Sequence, residues 1–181
     1  LARTLLAPGD EAVMADQTFV IYKMEVTAAH GKPIIVPLKQ WRHDLHAMAD
    51  AITDRTRLLF VCNPNNPTGT WFSFDRLACF LAAVPKNVLV VVDEAYLEYA
   101  TVPEIRSALA LLGDHPNLVV TRTFSKAYGL AGVRAGFAVA HRDVISIMEP
   151  IRESFNLNAI ALHAVRIALS DEAHLSKVSA D

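Results

Sequence analysis

The sequence predicts a three-layer α/β/α fold built on a mostly parallel sheet, and three observations carry that prediction. Val88-Leu89-Val90-Val91-Val92 is a run of β-branched and Leu residues with no polar alternation. Such a run needs apolar cover on both faces, as a central strand of a parallel sheet has. Further short apolar runs at Ala12–Ala15, Pro33–Leu38, Leu58–Cys62, Leu118–Thr121 and Ala135–Ala140 alternate with stretches of helical periodicity. Strands alternating with helices of about ten residues build parallel βαβ units. Turn residues such as Pro8-Gly9-Asp10 and Gly31 mark the junctions.

Taken in order, Leu1–Leu6 closes a helix that Pro8-Gly9-Asp10 stops. A second helix is predicted from Phe19 to His30, ended by Gly31. Asp44–Ile52 is helical, with Leu45, Met48, Ala49 and Ile52 on one face. Asp75–Val84, a segment near Glu104–Leu112, Arg142–Glu153 and Ala159–Leu169 complete the predicted helices. No internal repeat, low-complexity tract or linker interrupts the pattern, which reads as one domain.

The 181 residues, 52% of them hydrophobic, suffice for one well-packed core. A formal net charge of −2 gives no electrostatic ground to expect nucleic acid or an anionic membrane as partner. No apolar stretch approaches the ~18–20 residues that span a bilayer, and no signal-peptide pattern opens the chain. Cys62 and Cys79 cannot make a disulfide framework and read as two buried thiols in a reducing cytosol. The histidines show no metal-like spacing; His43 and His46 stand three apart on a predicted helix, but no third ligand is suggested. There is no initiator Met, so the sequence reads as an internal piece of a longer protein.

In open α/β sheets ligands bind beyond the carboxyl ends of the strands. The first informative strand end is Asn63-Pro64-Asn65-Asn66-Pro67-Thr68-Gly69. Its prolines fix φ and remove backbone donors, while Asn66 offers an amide donor and a carbonyl acceptor. The turn reads either as a rigid connection or as a stiff mount holding one amide in one orientation. The second is Asp93-Glu94-Ala95-Tyr96. Asp93 either caps the next segment or is a buried carboxylate held against a cationic ring nitrogen, with the Tyr96 phenol nearby. The third runs from Thr123 to Arg134 and gathers Thr123, Ser125, Lys126, two glycines and Arg134. Hydroxyls, backbone N–H groups and an Arg fork make a phosphate cup, although neither a P-loop nor a GxGxxG motif is present. Lys126 reads either as a solvated loop lysine or as an amine that reacts with something attached to that phosphate.

Together the three segments resemble the fold-type I pyridoxal-phosphate (PLP) dependent aminotransferases, most closely the histidinol-phosphate aminotransferase branch. The resemblance covers about Pro8 to Leu169. It implies that Lys126 is the Schiff-base lysine, that Asp93 pairs with the pyridinium nitrogen, and that Asn66 and Tyr96 bond the ring's 3-oxygen. It implies Thr123, Ser125 and Arg134 as phosphate ligands and Phe19 as the aromatic stacked on the ring, where family members often have Tyr. The implied reaction is transamination of an amino acid, L-histidinol phosphate with 2-oxoglutarate as acceptor, by a cytoplasmic homodimer.

The same resemblance divides the chain into a PLP-binding large domain, residues 1–170, incomplete at its N-terminus, and the start of a connection at 171–181 to a small C-terminal domain. It places a Gly-rich phosphate turn and an N-terminal Tyr upstream, and the substrate-carboxylate Arg downstream. Aromatic amino acid aminotransferases and PLP-dependent phosphothreonine decarboxylases share these motifs. The effector domain of a transcription regulator and an inactive fragment are the readings from other classes.

Overall fold

A computed structural model describes residues 1–180. Its strands are β1 (Glu11–Ala15), β2 (Lys32–Val36), β3 (Thr56–Cys62), β4 (Leu89–Asp93), β5 (Leu118–Thr123) and β6 (Gly136–Ala140). Its α-helices are α1 (Ala2–Leu5), α2 (Ile21–Ala28), α3 (Leu45–Asp50), α4 (Phe74–Ala83), α5 (Arg142–Met148), α6 (Ala159–Ser170) and α7 (Glu172–Ala180).

One six-stranded sheet has the order β2-β1-β3-β4-β5-β6. All pairings are parallel except β5 with β6. The strand order reverses between β1 and β3, which puts a topological switch point beside the carboxyl ends of β1, β3 and β4. Because β6 runs the opposite way, it starts where β5 ends, with Thr123 opposite Gly136. A Cβ on Gly136 would lie 2.9 Å from the Arg122 carbonyl oxygen, so glycine permits the strands to close there.

Successive strand residues face opposite sides of the sheet, and the core divides accordingly. Val13, Leu59, Val61, Val90, Val92, Leu118 and Val120 pack with Leu45 and Met48 of α3 and Leu77, Phe80 and Leu81 of α4. Met14, Leu58, Phe60, Cys62, Val91 and Val119 face the other way, against Ala2, Tyr22, Val26 and Val144 from α1, α2 and α5. At about 1.5–3 kcal/mol for each large side chain fully buried, this two-sided cover is what the Val-rich strand requires.

Several elements differ from expectation, each for a local reason. The segment near Glu104–Leu112 is only a 3₁₀ turn at Ala108–Leu111. The Glu104 carbonyl accepts from Phe74 N at 2.8 Å and the Ala108 N–H is taken by Glu94, so both partners of one helical bond are diverted. The helix predicted to run to Glu153 stops at Met148, because Pro150 has no N–H and forces a 3₁₀ turn at Glu149–Ile151. Phe19 lies in the turn ahead of α2, which starts at Ile21. His43 precedes α3, whose N-cap Asp44 accepts from Ala47 N, so His43 and His46 share no helix face. Cys62 is buried as expected, but Cys79 is exposed on α4.

Glu172–Ala180, expected as part of an outgoing connection, form the helix α7, which packs back on the domain. His174 Nε2 lies 2.9 Å from the Ala127 carbonyl, and Ser179 donates to the Glu98 carbonyl at 2.7 Å. Among the described residues no helix is long and apolar enough to cross a membrane.

Candidate active site

The sheet itself aligns the floor of the site. Cys62, Asp93 and Thr121 are direct neighbours across β3, β4 and β5. A parallel register turns such a row of side chains to one face. Asp93 Oδ1 accepts the Ala95 N–H at 3.0 Å, and Oδ2 accepts the Tyr22 hydroxyl. The turn-capping bond is therefore present, yet the carboxyl still lines an open cavity. Among the described residues no cation pairs with it. Burial pushes its pKa up, as it does that of Glu94, against the pull of the Tyr22 hydroxyl, the Ala95 N–H and the Thr121 hydroxyl.

Glu94 is turned to the opposite face. It is 2% exposed and fully partnered: Ala108 N donates to Oε1 at 2.5 Å, Ser107 Oγ to Oε2 at 2.8 Å, and Arg122 Nε to Oε2 at 2.9 Å. Arg122 also reaches Glu98 at 3.1 Å. Although Arg122 borders the cavity, its charge is therefore committed.

The lysine loop begins where β5 ends. Thr123 Oγ1 accepts from Ser125 N at 3.1 Å, Phe124 N bonds Ala135 O, and Leu130 N returns to Phe124 O at 2.9 Å. A turn closes from Gly129 N to Lys126 O at 2.8 Å, with Gly129 at φ +68°, a conformation glycine adopts without strain. Lys126 Nζ lies 5.3 Å from the centroid of the Tyr96 ring. Arg134, in the left-handed region at φ +57°, donates to Ala131 O at 2.9 Å and leads into β6. Neither Lys126 nor Arg134 makes an ion pair among the described residues.

The third side comes from the loops after β1 and β3. Asn66 Nδ2 approaches the Tyr96 hydroxyl at 3.5 Å, too long for a strong bond, so both groups keep capacity for another partner. The adjacent Asn65 fastens the two loops: it accepts from Thr18 Oγ1 and donates to Gln17 O and Thr68 Oγ1, at 2.8–2.9 Å, and meets His43 Nε2 at 3.0 Å. Burial lowers the His43 pKa.

Phe19, Asn66, Asp93, Tyr96, Thr123, Ser125, Lys126 and Arg134 all line one cavity of about 320 Å³. The structure thus brings together every residue the sequence singles out. It adds Cys62, Ala95, Thr121 and Arg122 to the wall and Tyr22 behind it. Thr121 and Cys62 were identifiable only through the register, and Tyr22 stands 71 positions from Asp93 with no sequence signal linking them. The cavity offers two cations without an ion pair among the described residues, the hydroxyls of Tyr96, Thr121, Thr123 and Ser125, the Phe19 ring and one half-buried acid. No group of three or more His, Cys, Asp or Glu among the described residues is placed to hold a metal.

Residues 1–180 match the family model of aminotransferase class I and II. The histidinol-phosphate aminotransferase of Moorella thermoacetica is 50% identical over 178 residues, 98% of this chain and 46% of that protein. Histidinol-phosphate aminotransferase 2 of Pseudomonas aeruginosa is 48% identical over 177 residues, 98% of this chain and 48% of that one. The crystal structure of histidinol-phosphate aminotransferase from Sinorhizobium meliloti, in complex with pyridoxal-5'-phosphate, superposes with TM-score 0.93 at 32% identity, covering 98% of this chain and 48% of that chain. The chain spans about half the length of the curated relatives it matches.

Proposed function

This chain belongs to the class I and II aminotransferases, and from that premise we propose that it is the cofactor-binding part of a PLP-dependent enzyme transaminating L-histidinol phosphate with 2-oxoglutarate. The observation that carries the cofactor reading is Asp93: a half-buried carboxylate that meets no cation among the described residues, lining the cavity that also holds a lysine without an ion pair among them. PLP carries a ring nitrogen that can be cationic, an aldehyde and a phosphate, and the donor set has a complement for each.

In this reading Asp93 holds the ring nitrogen, Asn66 and Tyr96 the 3-oxygen, and Phe19 one ring face. Thr123, Ser125 and Arg134 hold the phosphate, with Arg134 supplying a charge that pairs with no acid among the described residues. When bound, PLP supplies the aldehyde that takes up the amino group and a protonated ring that draws electrons from the substrate carbon. Lys126 would hold that aldehyde end of the group through its amine. The same amine would be the group that takes and gives back the proton of the substrate Cα. Tyr96 lies beneath the Lys126 amine and limits where it swings.

The substrate reading is supported by relatives at 45–50% identity that bear the histidinol-phosphate name. Residues 1–170 serve here as the cofactor domain, against which α7 packs through His174 and Ser179. Exposed Ile160, Leu162, Ile167 and Leu169 on α6 offer apolar surface that a homodimer would cover. The free thiols Cys62 and Cys79 suit a reducing cytoplasm.

Borohydride reduction of the PLP-loaded protein, followed by peptide mass mapping, tests the assignment. A pyridoxyl group on Lys126 is expected; an unmodified Lys126 with PLP in excess defeats it.

A further inference from the structure

Asp93 makes one bond that the proposed chemistry does not use. The Tyr22 hydroxyl, on the first turn of α2, donates to Asp93 Oδ2. Tyr22 is 8% exposed. Its ring stacks on Phe60 with centroids 4.8 Å apart and planes 9° apart, and meets Phe19 edge-on at 5.6 Å. Those two contacts fix where the hydroxyl points. On the other side, Oδ1 is held by Ala95 N, and the flanking Cys62 and Thr121 bring no positive charge. Burial drives the Tyr22 phenol far above its ordinary pKa, so it remains a donor.

We propose that Tyr22 is a positioning residue that acts through Asp93 to keep the proton of the cofactor pair on the ring nitrogen, an inference that rests on the PLP reading above. A carboxylate that accepts a phenol hydrogen bond is a weaker base than one that does not. With Tyr22 in place, Asp93 stays an anion and the shared proton sits on nitrogen. Without the hydroxyl, that one proton passes from nitrogen to Asp93, leaving both partners neutral and every other group unchanged. Phe19 gains as well: Tyr22 links the stacking ring and the nitrogen anchor, so one residue sets both contacts.

The test compares wild type with Tyr22→Phe, which keeps both ring contacts and loses only the donor. Protein is loaded with PLP labelled with ¹⁵N at the ring, and its nitrogen resonance, PLP affinity and circular dichroism are recorded. The expected result is a resonance displaced from the pyridinium toward the pyridine position, and PLP bound about tenfold more weakly, the scale of one hydrogen bond to a charged group. Fluorotyrosine at position 22 retains a hydroxyl and should hold the resonance at the wild-type position. That variant decides the matter if Tyr22→Phe does not fold: a resonance moved to the pyridine position despite the retained hydroxyl would overturn the role. Equal resonances in wild type and folded Tyr22→Phe, with Lys126 still modified by borohydride, would also overturn it. Loss of the Lys126 adduct in wild type would instead defeat the cofactor reading itself.

Discussion

Asp93 and Glu94 are consecutive acids at the end of one strand, and their surroundings differ in almost every respect. Glu94 faces the α4 side, where Arg122, Ser107 and Ala108 satisfy it. Asp93 faces the α2 side, where Tyr22, Ala95 and Thr121 are neutral donors and no cation pairs with it among the described residues. Glu11, fully buried like Glu94, follows the Glu94 pattern, with Arg55 at 2.9 Å and Lys32 at 3.3 Å. A carboxylate largely withdrawn from water without a positive partner costs stability, so half-buried Asp93 carries a cost that the other two avoid. On the proposed function, completeness of pairing separates the structural acids Glu11 and Glu94 from Asp93, the acid left for a ligand.

That contrast can be broken experimentally, beginning with the largest effect. Asp93→Asn should lower transamination by roughly a hundredfold to a thousandfold, the scale of one lost electrostatic partner at a reacting group. The apoprotein should unfold in denaturant at the wild-type midpoint or above it, since a costly buried charge has gone. Glu94→Gln should do the reverse. It should lose about 3 kcal/mol of stability as a buried ion pair is broken, measured by urea titration, while binding PLP with near wild-type affinity. An Asp93→Asn apoprotein destabilised as much as Glu94→Gln would erase the distinction.

The smallest effect concerns Glu11. Hydrogen bonds from Thr53 and Arg55 hold its carboxyl down to about 2, against an ordinary 4.5. A carboxyl depressed in the folded state gives stability that is present above the unfolded value and lost as pH falls toward the folded one. Wild-type stability should therefore drop between pH 4.5 and about 2, and Glu11→Gln should flatten that acid limb in a pH series of melting temperatures.

Much of this was legible in the residue order. The Val-rich β4 announced a sheet covered on both faces, and the three strand ends announced the site, because period and turn chemistry are local signals. Non-local features stayed hidden. Whether Ala108 N bonds Glu104 or Glu94 depends on a carboxylate fourteen positions away, so the predicted helix there shrank to a turn. Pro150 was a readable stop signal inside the predicted Arg142–Glu153 helix. The Tyr22–Asp93 bond and the Asn65 fastening join loops that only the β1–β3–β4 adjacency brings together. The sense of β6 was equally invisible, yet it delivers Arg134 to the mouth of the cavity.

The most direct test of the central claim, that Asp93 lacks a cation because the cofactor provides it, is the stability increment on adding PLP. With PLP at a hundred times the wild-type dissociation constant, wild type and Glu94→Gln should each gain about 2.7 kcal/mol of unfolding free energy. Asp93→Asn, its affinity weakened about a hundredfold by loss of the charge partner, should gain only about 0.4 kcal/mol. An equal increment in all three proteins would contradict the account.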